Sequence, residues 1–176
     1  MRYLWMVFIV GTLLQAENFT LESDTLKGQI SKAQEFNGFG CDGRNISPEL
    51  HWNNPPKGTK SFAITVYDPD APTGSGWWHW LVVNIPADTK QIVAGASAKH
   101  TLPKGAVETM TDYGSAGFGG ACPPKGDKAH RYVFTVHALD VESLDLKAES
   151  NSALVGFMVN SHTIQKASLL SYYQRD

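Results

Sequence analysis

The sequence has little that would mark it as a nucleic-acid binder, a metal-finger protein or a repeat array. Its 15 Lys and Arg face 17 Asp and Glu, for a formal net charge of -2. Both signs are scattered and form no basic run, so the electrostatic footprint that nucleic acid requires is missing. There are only two cysteines in the chain, and neither belongs to a CxxC pair. A structural zinc site is therefore not expected. His-x-His and HExxH spacings are absent as well, and neither a metal nor a cofactor is assigned. No internal repeat and no linker divides the chain. No broad amphipathic face or basic patch argues for stable membrane insertion or docking.

What is present fits one domain with a proper core: 176 residues, 42% of them apolar. The first sixteen residues, MRYLWMVFIVGTLLQA, stand apart. Arg2 supplies a short positive start, residues 4–14 are a nearly uninterrupted apolar run, and Ala16 offers a small residue for cleavage. The segment reads as a secretory signal, too short to span a bilayer comfortably. The competing readings are a buried strand or an anchor. Residues 17–176 would then be the single mature domain, periplasmic or secreted. In an oxidising compartment an even cysteine count suggests a bridge between Cys41 and Cys122. Closing so long a loop would restrict the unfolded chain by roughly 4–5 kcal/mol. Two unrelated buried thiols are the alternative.

The pattern is mostly strand. Residues 61–68, SFAITVYD, alternate with period two and stop at Pro69. Residues 79–85 are apolar on both faces, as in a strand sandwiched between layers. Residues 131–139 form a third strong strand. Weaker strands are expected at 49–52, 107–111 and 167–173, and two short ones within 19–30. Residues 151–162 have helical spacing, with Ser150 or Asn151 as cap. Residues 114–129, rich in glycine and proline, are loop. A formal GxGxxG at Gly38, Gly40 and Gly43 has no following helix and is not a dinucleotide site. The order predicts an antiparallel sandwich with a peripheral helix near the C-terminus.

Three loops beside strong strands carry unusual residues. In YDPDAP, Asp68 and Asp70 are two apart and would face the same way in extended chain. An ordinary turn, each Asp bonding local amides, is the plainer reading of that motif. In GWWHW, His79 sits among tryptophans. The glycine-rich loop runs into His130-Arg131-Tyr132, where His130 and Tyr132 share a strand face. Glycine amides turned inward bind anions, His130 can carry charge near neutral pH, and Tyr132 brings a hydroxyl donor. Together these predict one apolar-walled cup for a small oxyanion such as phosphate, attracted by histidinium and amides.

The segments FGCDGRNISPELHW, YDPDAP, WWHWLVVNIP and GFGGACPPKGDKAHRY resemble the phosphatidylethanolamine-binding protein (PEBP) family, and most closely its bacterial Raf kinase inhibitor-like YbhB/YbcL type. The likeness runs from about Phe19 to the C-terminus. It implies a β-sandwich of a large central antiparallel sheet against a smaller one, with helix at the C-terminal end. It implies a small cavity for phosphate-type head groups, lined by Asp68, Asp70, Pro72, Trp78, His79, His130 and Tyr132. It also matches Cys41 and Cys122 to the cysteine pair of the bacterial branch, which would pin two loops at the rim.

Three functions follow as expectations. The first is a non-enzymatic binding module for a phosphate-bearing lipid head, nucleotide or phosphopeptide, able to act through a protein partner. The second is a phosphoester hydrolase or metal-dependent enzyme using the Asp and His residues, which lacks an activated nucleophile. The third is an inhibitor of a hydrolase or kinase, docking through the cup's rim.

Overall fold

The computed structural model describes residues 18–176; the expected signal segment lies outside the described residues. In chain order the elements are β1 (Thr20–Glu22), β2 (Asn37–Gly38), β3 (Cys41–Asp42), β4 (Leu50–Asn53), β5 (Ser61–Asp68) and β6 (Trp77–Pro86). They continue with β7 (Gln91–Ile92), α1 (Ala96–Lys99), β8 (Val107–Glu108), β9 (His130–Leu139), α2 (Ser152–His162) and β10 (Thr163–Tyr173). The long alternating segments make a five-stranded antiparallel sheet in the order β10-β9-β5-β6-β8. A second, three-stranded sheet has the order β1-β4-β7, and β2 and β3 form a short ribbon.

Period-two alternation decides how the layers meet. From the large sheet, Phe62, Ile64, Val66, Trp80, Phe134 and Val136 bury one face against Leu21, Leu50, Trp52 and Ile92 of the small sheet. From its other face, Ala63, Leu81, Val83 and Leu139 pack against Val155 and Val159 of α2. The expected sandwich with a peripheral helix is the observed architecture.

Several boundaries differ from the sequence expectation. Residues 19–30 give one strand, β1; beyond it only an isolated bridge joins Gln29 to Tyr172. The strand expected over 107–111 ends at Glu108, because the chain folds back through a Met110–Ala116 bridge and a Thr111 N–H bond to the Ser115 carbonyl. Helix α2 is capped by the Asn151 side chain, which accepts from the Leu154 N–H at 2.9 Å. Only Val155 and Val159 of its apolar residues are buried, while Leu154 and Phe157 face outward. Thr163 ends the helix and begins β10 with no loop between, so that strand starts earlier than expected.

One irregularity positions the site. Along the β5–β6 ladder Val66 pairs with Trp80 and Tyr67 with Trp78, leaving His79 without a partner. His79 is the extra residue of a β-bulge, a device that re-aims a side chain at the edge of a ladder.

Candidate functional site

A cavity of about 160 Å³ opens at this end of the large sheet, between β5, β6, β9 and the loops that cross above them. Asp68 and Pro72 reach it from the end of β5 and its following turn, His79 from the β6 bulge, and His130 and Tyr132 from the first residues of β9. Five of the seven ligand residues named from the sequence therefore line one hollow. The side chains of His79, His130 and Tyr132 are all buried, at 3%, 2% and 1% exposure.

Two of the seven lie elsewhere. Trp78 faces the opposite side of the sheet, where its ring lies 4.5 Å from that of Tyr67. Its neighbour Trp77 takes the wall position. The alternation rule could have selected it, since Trp77 and His79 are two apart and share a face. Asp70 points away from the cavity and binds Arg131: its carboxylate accepts Nε at 2.8 Å, Nη2 at 2.9 Å and the backbone N–H at 2.9 Å. The expectation that Asp68 and Asp70 face one way fails because β5 ends at Asp68. There the Asp68 Oδ1 accepts the Asp70 N–H at 2.8 Å and turns the chain. The Arg131 guanidinium holds the Asp70 carboxyl far below the usual carboxylate range.

The imidazoles are set in different ways. His130 Nδ1 donates to Asp68 Oδ2 at 2.8 Å, and its Nε2 lies 3.4 Å from Asp127 Oδ2. His79 Nδ1 faces two carbonyls, Gly119 O at 2.8 Å and Gly120 O at 3.1 Å. Carbonyls only accept, so Nδ1 carries the proton, and in the neutral ring Nε2 is an acceptor. Burial pushes His79 below the ordinary imidazole range, although the two carbonyls and the Asp68 charge pull the other way. His79 is thus held neutral and does not supply the histidinium expected at the cup.

The bed of glycine amides is also revised. Gly119 N–H donates to the His79 carbonyl at 2.8 Å, and Gly120 N–H to Asn45 Oδ1 at 2.7 Å. Gly114 and Gly126 N–H bond to the Thr111 and Arg175 carbonyls. The glycines instead allow close approach. A Cβ at Gly120 would collide with the Gln34 carbonyl, and one at Gly119 with the Tyr113 ring.

The walls are apolar: Phe39, Trp77, Tyr113, Pro123 and Pro124 join Pro72. Tyr113 stacks on Phe36 at 4.2 Å and donates its hydroxyl to the Gly120 carbonyl at 2.7 Å. It was not among the residues read from the sequence. Cys41 and Cys122 form a disulfide. Cys122 lines the cavity, and Cys41 follows Phe39 by two residues, so the bridge ties the two rim segments together.

Three buried polar atoms on the lining have no partner among the described residues: Trp77 Nε1, His79 Nε2 and Tyr132 Oη. Such atoms cost free energy unless something enters to pair with them. They offer a fixed donor, an acceptor and a hydroxyl that can do either.

Comparison with known proteins matches residues 23–174 to the family described as phosphatidylethanolamine-binding protein. The protein YbcL of Escherichia coli K12 is 51% identical over 177 residues, 94% of this chain and 97% of YbcL. YbhB of the same strain is 54% identical over 139 residues, 78% of this chain and 87% of YbhB. The crystal structure of Escherichia coli YbcL, a member of the mammalian PEBP family, superposes with a TM-score of 0.88 at 50% identity, covering 90% of this chain and 99% of that one.

Proposed function

This chain belongs to the phosphatidylethanolamine-binding protein family, and on that premise we propose that its cup binds a small oxyanion of the phosphate type that carries at least one O–H. The observation that carries the reading is the set of unpartnered atoms, Trp77 Nε1, His79 Nε2 and Tyr132 Oη, around one hollow. The indole and the phenol donate to anionic oxygens. The neutral His79 Nε2 requires a donor from the ligand, and the Asp68 carboxylate beside it disfavours a second full negative charge. Singly ionised phosphate, or the corresponding monoester, has both features. The hollow, at about 160 Å³, is well under the ~300 Å³ where pockets for larger ligands begin. It suits a head group, not a lipid's chains.

We read the cup as non-catalytic. Its one aliphatic hydroxyl, Thr73, already donates to the Gly76 carbonyl, and both cysteines are bridged. Calorimetric titration with inorganic phosphate, phosphoethanolamine and sulfate tests the reading. Phosphate binding should weaken roughly tenfold from pH 6 to pH 8 as the ligand gains a second negative charge beside Asp68, and sulfate, which carries no O–H, should bind at least tenfold more weakly than phosphate at pH 6. Sulfate binding equal to phosphate would sink the proposal, and turnover of phosphoethanolamine would overturn the non-catalytic reading.

Export belongs to the same proposal. It is supported by the signal-like pattern of residues 1–16 and by a disulfide of the kind that persists in oxidising compartments. Expressed in a Gram-negative host, the mature chain should appear in the periplasm beginning at Glu17. A cytoplasmic chain that keeps residues 1–16 would refute it.

A further inference from the structure

Asn45 stands outside the cup, yet it grips the loop that orients the imidazole. Its Oδ1 accepts the Gly120 N–H at 2.7 Å, and its Nδ2 donates to the Phe118 carbonyl at 3.0 Å. The two bonds straddle Gly119, so one amide clamps both flanks of the turn. The Gly119 carbonyl held in this way receives the His79 Nδ1 proton together with the Gly120 carbonyl, which also accepts the Tyr113 hydroxyl at 2.7 Å. Asn45 is itself fixed. Its N–H bonds to the Glu35 carbonyl at 2.8 Å, and its φ of 50° lies in the left-handed region that asparagine tolerates better than most residues.

We propose that Asn45 is a positioning residue: by fixing the turn from Phe118 to Gly120 it dictates the Nδ1–H tautomer of His79 and so presents Nε2 to the ligand as an acceptor. The consequence for ligand binding rests on the oxyanion reading of the cup; the tautomer assignment does not. Without the clamp, the Gly120 N–H loses its acceptor, and a rotation of the peptide between Gly119 and Gly120 would turn that N–H toward His79. Nδ1 would then accept, the proton would move to Nε2, and the ligand's O–H would meet another hydrogen. The titratable groups facing His79 are Asp68 from β5, Asp112 and Tyr113 from the turn after β8, and Tyr132 from β9. None of them selects between the two neutral tautomers as directly as two carbonyls in contact with one nitrogen.

Nitrogen-15 NMR of His79 in the full chain, alongside phosphate titration at pH 6, tests the proposal. Asn45→Gly removes the clamp and leaves the backbone free to keep its φ. It should give mixed tautomers and about 5- to 10-fold weaker phosphate binding. Asn45→Asp keeps the bond to Gly120, gives up the bond to Phe118, and should restore most of the wild-type tautomer and affinity. Wild-type protein with the His79 proton on Nε2 overturns the proposal without any variant. So does Asn45→Gly that folds and retains the wild-type tautomer. Wild-type protein that keeps the proton on Nδ1 but binds no phosphate would defeat the oxyanion reading while supporting the tautomer assignment.

Discussion

Besides His130, the large sheet buries His79 toward the cup and His137 beneath α2, and it treats these two differently. His137 has both nitrogens occupied. Thr163 gives its hydroxyl hydrogen to the Val159 carbonyl at 2.7 Å, so its oxygen must accept from His137 Nδ1–H at 3.2 Å. His137 Nε2 is then left to accept from Thr65 at 3.3 Å. His79 has one nitrogen occupied and one open. Burial lowers the proton affinity of both rings, His137 to about 4. Burial and depressed basicity therefore do not distinguish a structural histidine from a ligand-facing one. Unused hydrogen-bonding capacity does.

The largest effect expected from this contrast is acid sensitivity centred on His137. Its folded value of about 4 lies below the ordinary 6.5, so the unfolded chain takes up the proton more readily. Stability is fully present above pH 6.5 and falls as pH drops toward 4, by about 3 kcal/mol in total. In urea unfolding at pH 7 and pH 4, wild type should lose that much more than His137→Gln, which removes this titration and leaves that of His79. Equal losses would mean that His137 does not titrate as described.

A smaller effect sharpens the contrast at neutral pH. Thr65→Val strips His137 Nε2 of its donor and should cost about 1–3 kcal/mol. Tyr132→Phe removes a buried hydroxyl that has no partner, and should change stability by less than about 1 kcal/mol, in the stabilising direction, while weakening phosphate binding. A Tyr132→Phe variant as unstable as Thr65→Val would mean that the hydroxyl is satisfied within the protein after all.

Much of this was legible in the sequence, for reasons specific to its segments. Strands β5 and β9 were readable because period two is unbroken over Ser61–Asp68 and most of His130–Leu139, and Pro69 and Pro86 mark ends. Tyr132 and His130 could be put on one face by the same rule. The family resemblance assigns Trp78 to the wall, whereas the same rule puts Trp77 on the face of His79. Asp70 needed knowledge that the strand stops, which a side chain to backbone bond at Asp68 decides. Asn45 and Tyr113 act from loops, Asn45 across 75 positions to Gly120. No local pattern encodes such a contact. Glycine composition shows that a backbone can turn sharply, but not whether its N–H or its C=O will face the hollow. Here the carbonyls of Gly119 and Gly120 face His79.

The unpaired position in β6 makes the cup separable from its scaffold. Trp77, Trp78 and Trp80 already match Asp68, Tyr67 and Val66 one for one, so loss of the single codon for His79 would leave this end of the ladder in continuous register. A lineage could discard the acceptor in one genetic step and keep its sandwich, and an insertion at the same point could restore it.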